Sequence, residues 1–213
     1  MSKHVKIFAG PNNYTLTNVY QYTEGEFLVG VDSGLHYLLQ AGLTIDLAIG
    51  DFDSIEPAEL KQVEAQSAMV IRLPARKDKT DLAFCLDWIY NHMDYASITV
   101  FGGIGGRIDH FLANVNLLKK YDITMIDDHH RIWMLKKGRH HIANALPYIS
   151  FFALEDVYNL SIKGFAYELD QYYLSTADSL CVSNQGSGDL EFSKGRLLVV
   201  ATTDFFPADG LLH

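Results

Sequence analysis

Two cysteines, Cys85 and Cys181, are all that the 213 residues contain. They lie far apart and no C-x-x-C includes either, so neither a disulfide scaffold nor a thiolate metal site is indicated. No apolar run approaches about 18 residues, which excludes a membrane-spanning helix. Met1-Ser-Lys-His-Val-Lys6 leads straight into a strand-like run without the apolar h-region and cleavage site of a secretory signal, so the cytoplasm is the expected compartment. Internal repeats and low-complexity tracts are missing too. Basic residues are outnumbered, 17 Lys and Arg against 26 Asp and Glu, for a formal net charge of −9. That balance argues against nucleic-acid binding, which depends on neutralising phosphates with Lys and Arg. What is there, 48% hydrophobic and 20% charged residues, is a globular composition with enough chain for a substantial core in one large or two small domains.

The N-terminal half alternates short apolar runs with helical spacing. Lys6-Ile-Phe-Ala9 predicts a strand that ends at the turn Gly10-Pro-Asn-Asn13. Phe27–Val31 predicts a second, stopping at Asp32-Ser-Gly34. Leu35–Ala41 then has helical spacing, with Gly42 as its stop. Asp46–Ile49 is a third strand, breaking into Gly50-Asp-Phe-Asp-Ser54. A helix from about Pro57 to Gln66 follows, with proline in its first turn. Met69–Leu73 is a fourth strand. Pro74-Ala-Arg-Lys-Asp-Lys-Thr-Asp81 leads into a helix from Leu82 to His92. Ala96–Phe101 is the fifth strand, and Phe111–Leu118 is apolar at helical spacing. Strand and helix in this rhythm imply βαβ units and a mainly parallel sheet.

Beyond about residue 125 the pattern changes to alternating apolar runs between turn residues. The runs are Arg131–Leu135, Tyr148–Phe152, Val157–Ile162, Ser179–Val182, Asp189–Phe192 and Arg196–Ala201. They predict a β-sandwich or barrel. The expected organisation is therefore an α/β domain over residues 1–125, mainly parallel and Rossmann-like, followed by a β-sandwich domain over 126–213.

Between the fifth strand and the next helix stand four glycines within five residues, Gly102, Gly103, Gly105 and Gly106. Glycines let the backbone approach an anion closely, and the N–H groups of a helix start favour negative charge. The loop alone is equally compatible with a turn whose glycines serve only shape. Arg107 and Asp109 at its exit add a cation suited to phosphate and a carboxylate suited to a metal. Acidic residues also mark the other strand ends: Asp32, then Asp51 and Asp53, then Asp78 and Asp81. In open α/β sheets ligands bind beyond the carboxyl ends of the strands. One aspartate there reads as a helix cap; four strand ends, each with one, read as a hard-cation site. A divalent cation also reconciles an acidic protein with a polyphosphate ligand.

In order along the chain, Val31-Asp-Ser-Gly34, Gly50-Asp-Phe-Asp-Ser-Ile55, Lys77-Asp-Lys-Thr-Asp81 and Gly102-Gly-Ile-Gly-Gly-Arg-Ile-Asp-His-Phe-Leu-Ala-Asn114 resemble the bacterial-type thiamine pyrophosphokinases. Ser183-Asn184 continues the similarity more weakly. The resemblance implies an α/β catalytic domain that binds ATP and Mg²⁺, a β-sandwich domain for thiamine and dimerisation, and a homodimer with thiamine near the subunit interface. It implies transfer of a pyrophosphoryl group from ATP to the thiamine hydroxyl, with release of AMP. On this basis Asp51, Asp53, Asp81 and Asp109 are the expected Mg²⁺ ligands and catalytic carboxylates. Asp78 joins the catalytic set, and it and Asp32 are candidates for supporting the metal ligands or for accepting a proton. Lys77, Lys79, Gly103, Gly105, Gly106, Arg107, His110 and Asp32 form the expected ATP site. Ser183 and Asn184 are the expected thiamine contacts, although a Ser-Asn turn serves local structure equally well.

The family often stacks an aromatic on thiamine. Here the candidates are Phe192, Phe205 and Phe206, with core packing the default role of each. The pairs His129-His130 and His140-His141 point to opposite faces of a strand, which argues against shared chelation. Two other functions compete. One is another Mg²⁺-dependent phosphotransferase, or a hydrolase with an aspartate nucleophile in Gly50-Asp-Phe-Asp-Ser54. The other is a nucleotide or thiamine sensor without turnover. A dinucleotide-binding dehydrogenase is disfavoured, because Ile108 stands where G-x-G-x-x-G needs its third glycine.

Overall fold

A computed structural model describes residues 2–11 and 13–204. Asn12, Phe205 and Phe206 lie outside the described residues. The chain divides into two compact units, Met1–Asp128 and His129–His213.

In the first unit β1 (Lys3–Phe8) is followed by a short α1 (Leu16–Val19) and by β2 (Phe27–Val31). A 3₁₀ turn at Asp32–Gly34 opens into α2 (Leu35–Gln40). Then come β3 (Ile45–Gly50), α3 (Pro57–Gln66), β4 (Ser67–Arg72), α4 (Asp81–His92), β5 (Tyr95–Phe101), α5 (Ile108–Lys120) and β6 (Thr124–Ile126). All pairings here are parallel, in the order β4-β3-β2-β1-β5-β6. Parallel strands covered on both faces need near-continuous apolar runs. Val5, Ile7, Phe8, Leu28, Val29, Leu47, Ala48, Ile49 and Val100 are accordingly all buried. Helix α4 buries Leu82, Cys85, Leu86 and Ile89, one stripe at helical spacing. Its start is capped by Thr80, whose Oγ1 accepts from the Ala83 N–H at 3.3 Å. The short α1 and the three-residue β6 were not legible in the sequence, since neither carries a full period of apolar positions. Strand order reverses between β1 and β5, so the loops after these two strands diverge and leave a crevice at their carboxyl ends.

The second unit is built from β7 (His130–Ile142), β8 (Tyr148–Phe165), β9 (Leu169–Leu174) and β10 (Gly186–Thr202). They pair antiparallel in the order β7-β10-β8-β9. Two expected strand pairs fuse here: 148–152 with 157–162 into β8, and 189–192 with 196–201 into β10. Each long strand slips register midway. In β8 the inward side switches from Ile149, Phe151, Ala153 and Val157 to Leu160 and Ile162, around Asn159 at φ +56°. In β10 it switches from Leu190 and Phe192 to Leu197 and Val199, across a register shift between Phe192 and Arg196. Both halves of both strands line one apolar core. The expected strand at Ser179–Val182 does not form. Leu180 and Val182 are exposed there and only Cys181 turns inward, accepting from the Phe151 N–H at 2.9 Å.

Candidate active site

The crevice at the carboxyl ends of β1, β2 and β5 is a cleft of about 350 Å³. Its walls include Gly10, Pro11, Asp32, Ser33, Asp81, Gly105, Arg107, His110 and Asn114. On the β5 side the glycine loop is held by its own backbone. Gly102, Gly103, Gly105 and Gly106 all have φ between +64° and +86°. A Cβ on Gly102 would sit 2.1 Å from the Ala9 carbonyl oxygen, so the residue is required to be glycine. The Gly102 and Gly103 N–H groups donate to the carbonyls of Ile126 and Gly10, both at 3.1 Å. These two amides therefore shape the loop rather than face an anion. Buried Asn114 on α5 braces it, Nδ2 donating to the Gly103 carbonyl at 2.9 Å. Buried Ile104 anchors its centre.

On the β2–β3 side the chain crowds carboxylates. Asp32, at the end of β2, has φ +46°, and a side chain on Gly50 would collide with its Oδ1 at 1.9 Å. After β3, Phe52 also takes a left-handed φ, +60°, and is buried among the apolar residues of the first unit. Its burial holds a turn that a non-glycine residue otherwise avoids. That turn sets Asp51 beside the 73–80 loop. There Lys77, its side chain 8% exposed, places Nζ 2.6 Å from Asp51 Oδ2 and 3.1 Å from Asp81 Oδ1. Asp51 Oδ1 also accepts from the Asp53 N–H at 3.3 Å.

Electrostatics follow the geometry. Burial, together with the negative charges of Asp81 and Asp51, pushes the Asp32 carboxyl up to about 7. The hydrogen bond from Lys77 holds Asp51 below the usual carboxylate range. Burial pulls Lys77 down, but its contacts with Asp51 and Asp81 outweigh this and leave it above its ordinary value. One ammonium therefore sits between two carboxylates, with the raised carboxyl of Asp32 beside them, and the site is short of positive charge.

The remaining sequence candidates scatter. Arg107, the residue before α5, grips Asp109 with both arms, Nη2 to Oδ2 at 2.6 Å and Nε to Oδ1 at 3.1 Å. That contact holds the exposed Asp109 at about 2. Asp109 Oδ1 also takes the His110 N–H at 2.9 Å. Asp53 and Asp78 are exposed. Lys79 turns to Asp87 on α4 at 2.7 Å, where Lys120 and Tyr121 also converge. Among the described residues no three carboxylate, imidazole or thiol side chains form a ready-made metal cage. The charge deficit nonetheless suits a divalent cation, and Mg²⁺ needs only one or two carboxylates when waters and substrate phosphates complete its shell. Two further cleft residues, Ser33 and Asn114, lie inside segments that carry the family resemblance but had no role assigned from sequence. Their signal was position, one beside the first acidic strand end and one nearly two turns into the helix after the glycines.

Ser183 and Asn184 belong to the second unit. Ser183 has φ +58° and its N–H donates to Ser150 Oγ at 2.9 Å. Asn184 is 2% exposed, and its amide bonds the backbone of Tyr167 and Gln185. Phe192 is packed in the core. The two members of the second histidine pair turn to different partners: His140 contacts the Lys136 carbonyl and His141 contacts Asp189.

Comparison with known proteins places this architecture. Residues 20–129 match the family model described as the thiamin pyrophosphokinase catalytic domain, and residues 135–196 match the thiamin pyrophosphokinase vitamin B1 binding domain. A thiamine pyrophosphokinase of Bacillus subtilis is 36% identical, covering 95% of this chain and 100% of the relative. The crystal structure of the Bacillus subtilis thiamine pyrophosphokinase superposes with a TM-score of 0.85 at 35% identity, covering 96% of this chain and all of that one. An Enterococcus faecalis protein of the thiamin pyrophosphokinase family gives 0.83 at 27% identity, over 95% and 100% of the two chains. With 95% of its length matched at 36% identity, and with both family models found in order, the chain belongs to the thiamine pyrophosphokinase family.

Proposed function

We propose that this chain transfers the pyrophosphoryl group of ATP to the thiamine hydroxyl, the reaction of its family, at the cleft between the glycine loop and the Asp51–Lys77–Asp81 array. The observation that carries the proposal is the meeting of a braced glycine loop, an arginine and an ion-paired carboxylate cluster at the strand-order reversal. The substrate alcohol oxygen bonds to the β-phosphorus, the bond from that phosphorus to the α,β-bridging oxygen breaks, and AMP leaves with that oxygen. Such transfers are driven by positioning and by stabilising charge on phosphate oxygens.

Gly105, Gly106, Arg107 and His110 hold the phosphates, with Gly103 and Asn114 keeping the loop in shape. Arg107 offers a planar fork that matches phosphate geometry, and in turning to phosphate it releases Asp109. Asp51, Asp53, Asp81 and the released Asp109 are the oxygen donors for Mg²⁺, which when bound neutralises charge on the transferring phosphates. Asp32, which is exchangeable near neutral pH, is the proton acceptor for the thiamine hydroxyl. Residues 1–125 carry ATP and Mg²⁺, and residues 126–213 carry thiamine binding and dimerisation. Ser183 and Asn184 act there through the shape of the Tyr167 segment. The active form is a homodimer. Exposed Leu180 and Val182, in the second unit, supply apolar surface of the kind subunit contacts cover. Two unpaired, buried cysteines and an ATP substrate suit the cytoplasm.

The test is the nucleotide formed from ATP, Mg²⁺ and thiamine, with AMP and ADP separated by ion exchange. AMP appearing one-for-one with thiamine diphosphate is expected. ADP would mean simple phosphoryl transfer, and no nucleotide product would leave a binding protein.

A further inference from the structure

We infer that Lys77 is an exchangeable internal cation: it balances Asp51 and Asp81 until a divalent metal takes them, and it thereby couples metal binding to nucleotide binding. The inference rests on the proposed nucleotide chemistry and adds a regulation of the same site.

Lysine side chains are almost never this enclosed unless paired, and Lys77 is 8% exposed, with its Nζ between two carboxylates from different segments, Asp51 after β3 and Asp81 at the head of α4. The two contacts differ in kind. The Asp51 contact is a hydrogen bond at 2.6 Å, whereas Asp81 Oδ1 at 3.1 Å is buried beside the ammonium without hydrogen-bond alignment. Asp81 Oδ1 thus remains without a hydrogen bond, and two carboxylates stand against one ammonium.

A divalent cation offers the same two carboxylates twice the charge, but to reach them it must move the ammonium. Displacing an ammonium into a half-buried cleft is unfavourable unless it meets a new anion. Phosphate oxygens of the nucleotide are that anion, and lysine binds phosphate as a mobile point charge on a flexible stem. Metal alone therefore competes with Lys77, while metal together with a polyphosphate gives the ammonium somewhere to go. The protein accordingly discriminates against free metal and accepts metal with nucleotide.

The experiment titrates the full-length protein with Mn²⁺ alone, without nucleotide, and counts free ion by electron paramagnetic resonance. Wild type is compared with Lys77→Gln and Lys77→Met. Both variants are expected to bind Mn²⁺ at least tenfold more tightly than wild type, and adding Asp51→Asn to Lys77→Gln is expected to abolish the gain. Equal or weaker Mn²⁺ binding by both folded variants overturns the inference, as does a gain that survives Asp51→Asn. As a fold-independent arm, Lys77→Arg keeps the charge and is expected to bind Mn²⁺ as weakly as wild type; tight binding by it also overturns the inference. AMP formation by wild type is read separately, so a failure here is distinguishable from failure of the pyrophosphoryl-transfer reading.

Discussion

Asn184 pairs with Tyr167 as one strand residue pairs with another. Its Oδ1 accepts from the Tyr167 N–H at 2.9 Å, and its Nδ2 donates to the Tyr167 carbonyl at 2.8 Å. Asn184 is 2% exposed, and removing its amide takes away both bonds to Tyr167, which are part-buried because Tyr167 is itself 68% exposed. A typical hydrogen bond contributes about 0.5–1.5 kcal/mol. Asn184→Ala is therefore expected to lower unfolding stability by about 1–3 kcal/mol in urea titration, two part-buried hydrogen bonds being lost. An unchanged midpoint would mean that the loop does not need this clasp.

Arg107 and Asp109 make the opposite prediction. Both are well exposed, so their contact contributes little to the fold. Arg107→Ala is expected to leave the melting temperature unchanged while raising the KM for ATP at least tenfold. A variant with normal KM would remove Arg107 from the phosphate site.

Asn114 is predicted to matter for shape. Its side-chain bond to the Gly103 carbonyl is buried and ties the glycine loop to α5. Asn114→Ala should raise the KM for ATP by about tenfold, corresponding to about 1.4 kcal/mol, with circular dichroism unaltered. Steady-state kinetics with varied ATP reads this directly.

Asp51 and Asp53 test the metal assignment. Asp51→Ala or Asp53→Ala is expected to reduce kcat by at least about 100-fold, in keeping with lost charge stabilisation in phosphoryl transfer. Near-normal turnover by either folded variant would refute its assigned role.

The raised carboxyl of Asp32 predicts a pH dependence of stability. Its folded pKa, about 7, lies above the ordinary carboxylate value of 3.8. Folding therefore favours the protonated group: the stabilisation is complete below about pH 4 and disappears as pH rises through about 7. In the presence of EDTA, Asp32→Asn should gain stability relative to wild type between pH 5 and pH 8, as read from urea midpoints across that range. A difference that stays constant with pH would show that Asp32 is ionised throughout.

Much of the first unit was legible because its boundaries are punctuated. β2 stops at Asp32-Ser-Gly34 and α3 begins at Pro57, and both elements span the expected residues. The second unit was less legible for a physical reason. Residues 153–156 and 193–195 read as breaks between strands, yet an antiparallel strand absorbs one extra residue by slipping register, so β8 and β10 continue through them. In the site, the residue types were readable and their partners were not. Nothing periodic in Lys77–Asp81 tells that Lys77 turns to Asp51 while Lys79 turns to Asp87. Those choices are made by the turn that buried Phe52 holds, which only tertiary packing dictates.

The slipped registers of β8 and β10 bear on how the second unit comes apart. Because each of these strands serves both ends of one core, no hairpin can peel away while the remainder stays dry. Amide protons of Phe151 and Ile162, on opposite sides of the Asn159 irregularity, should then exchange with solvent through a single shared opening, with one opening free energy and one dependence on denaturant.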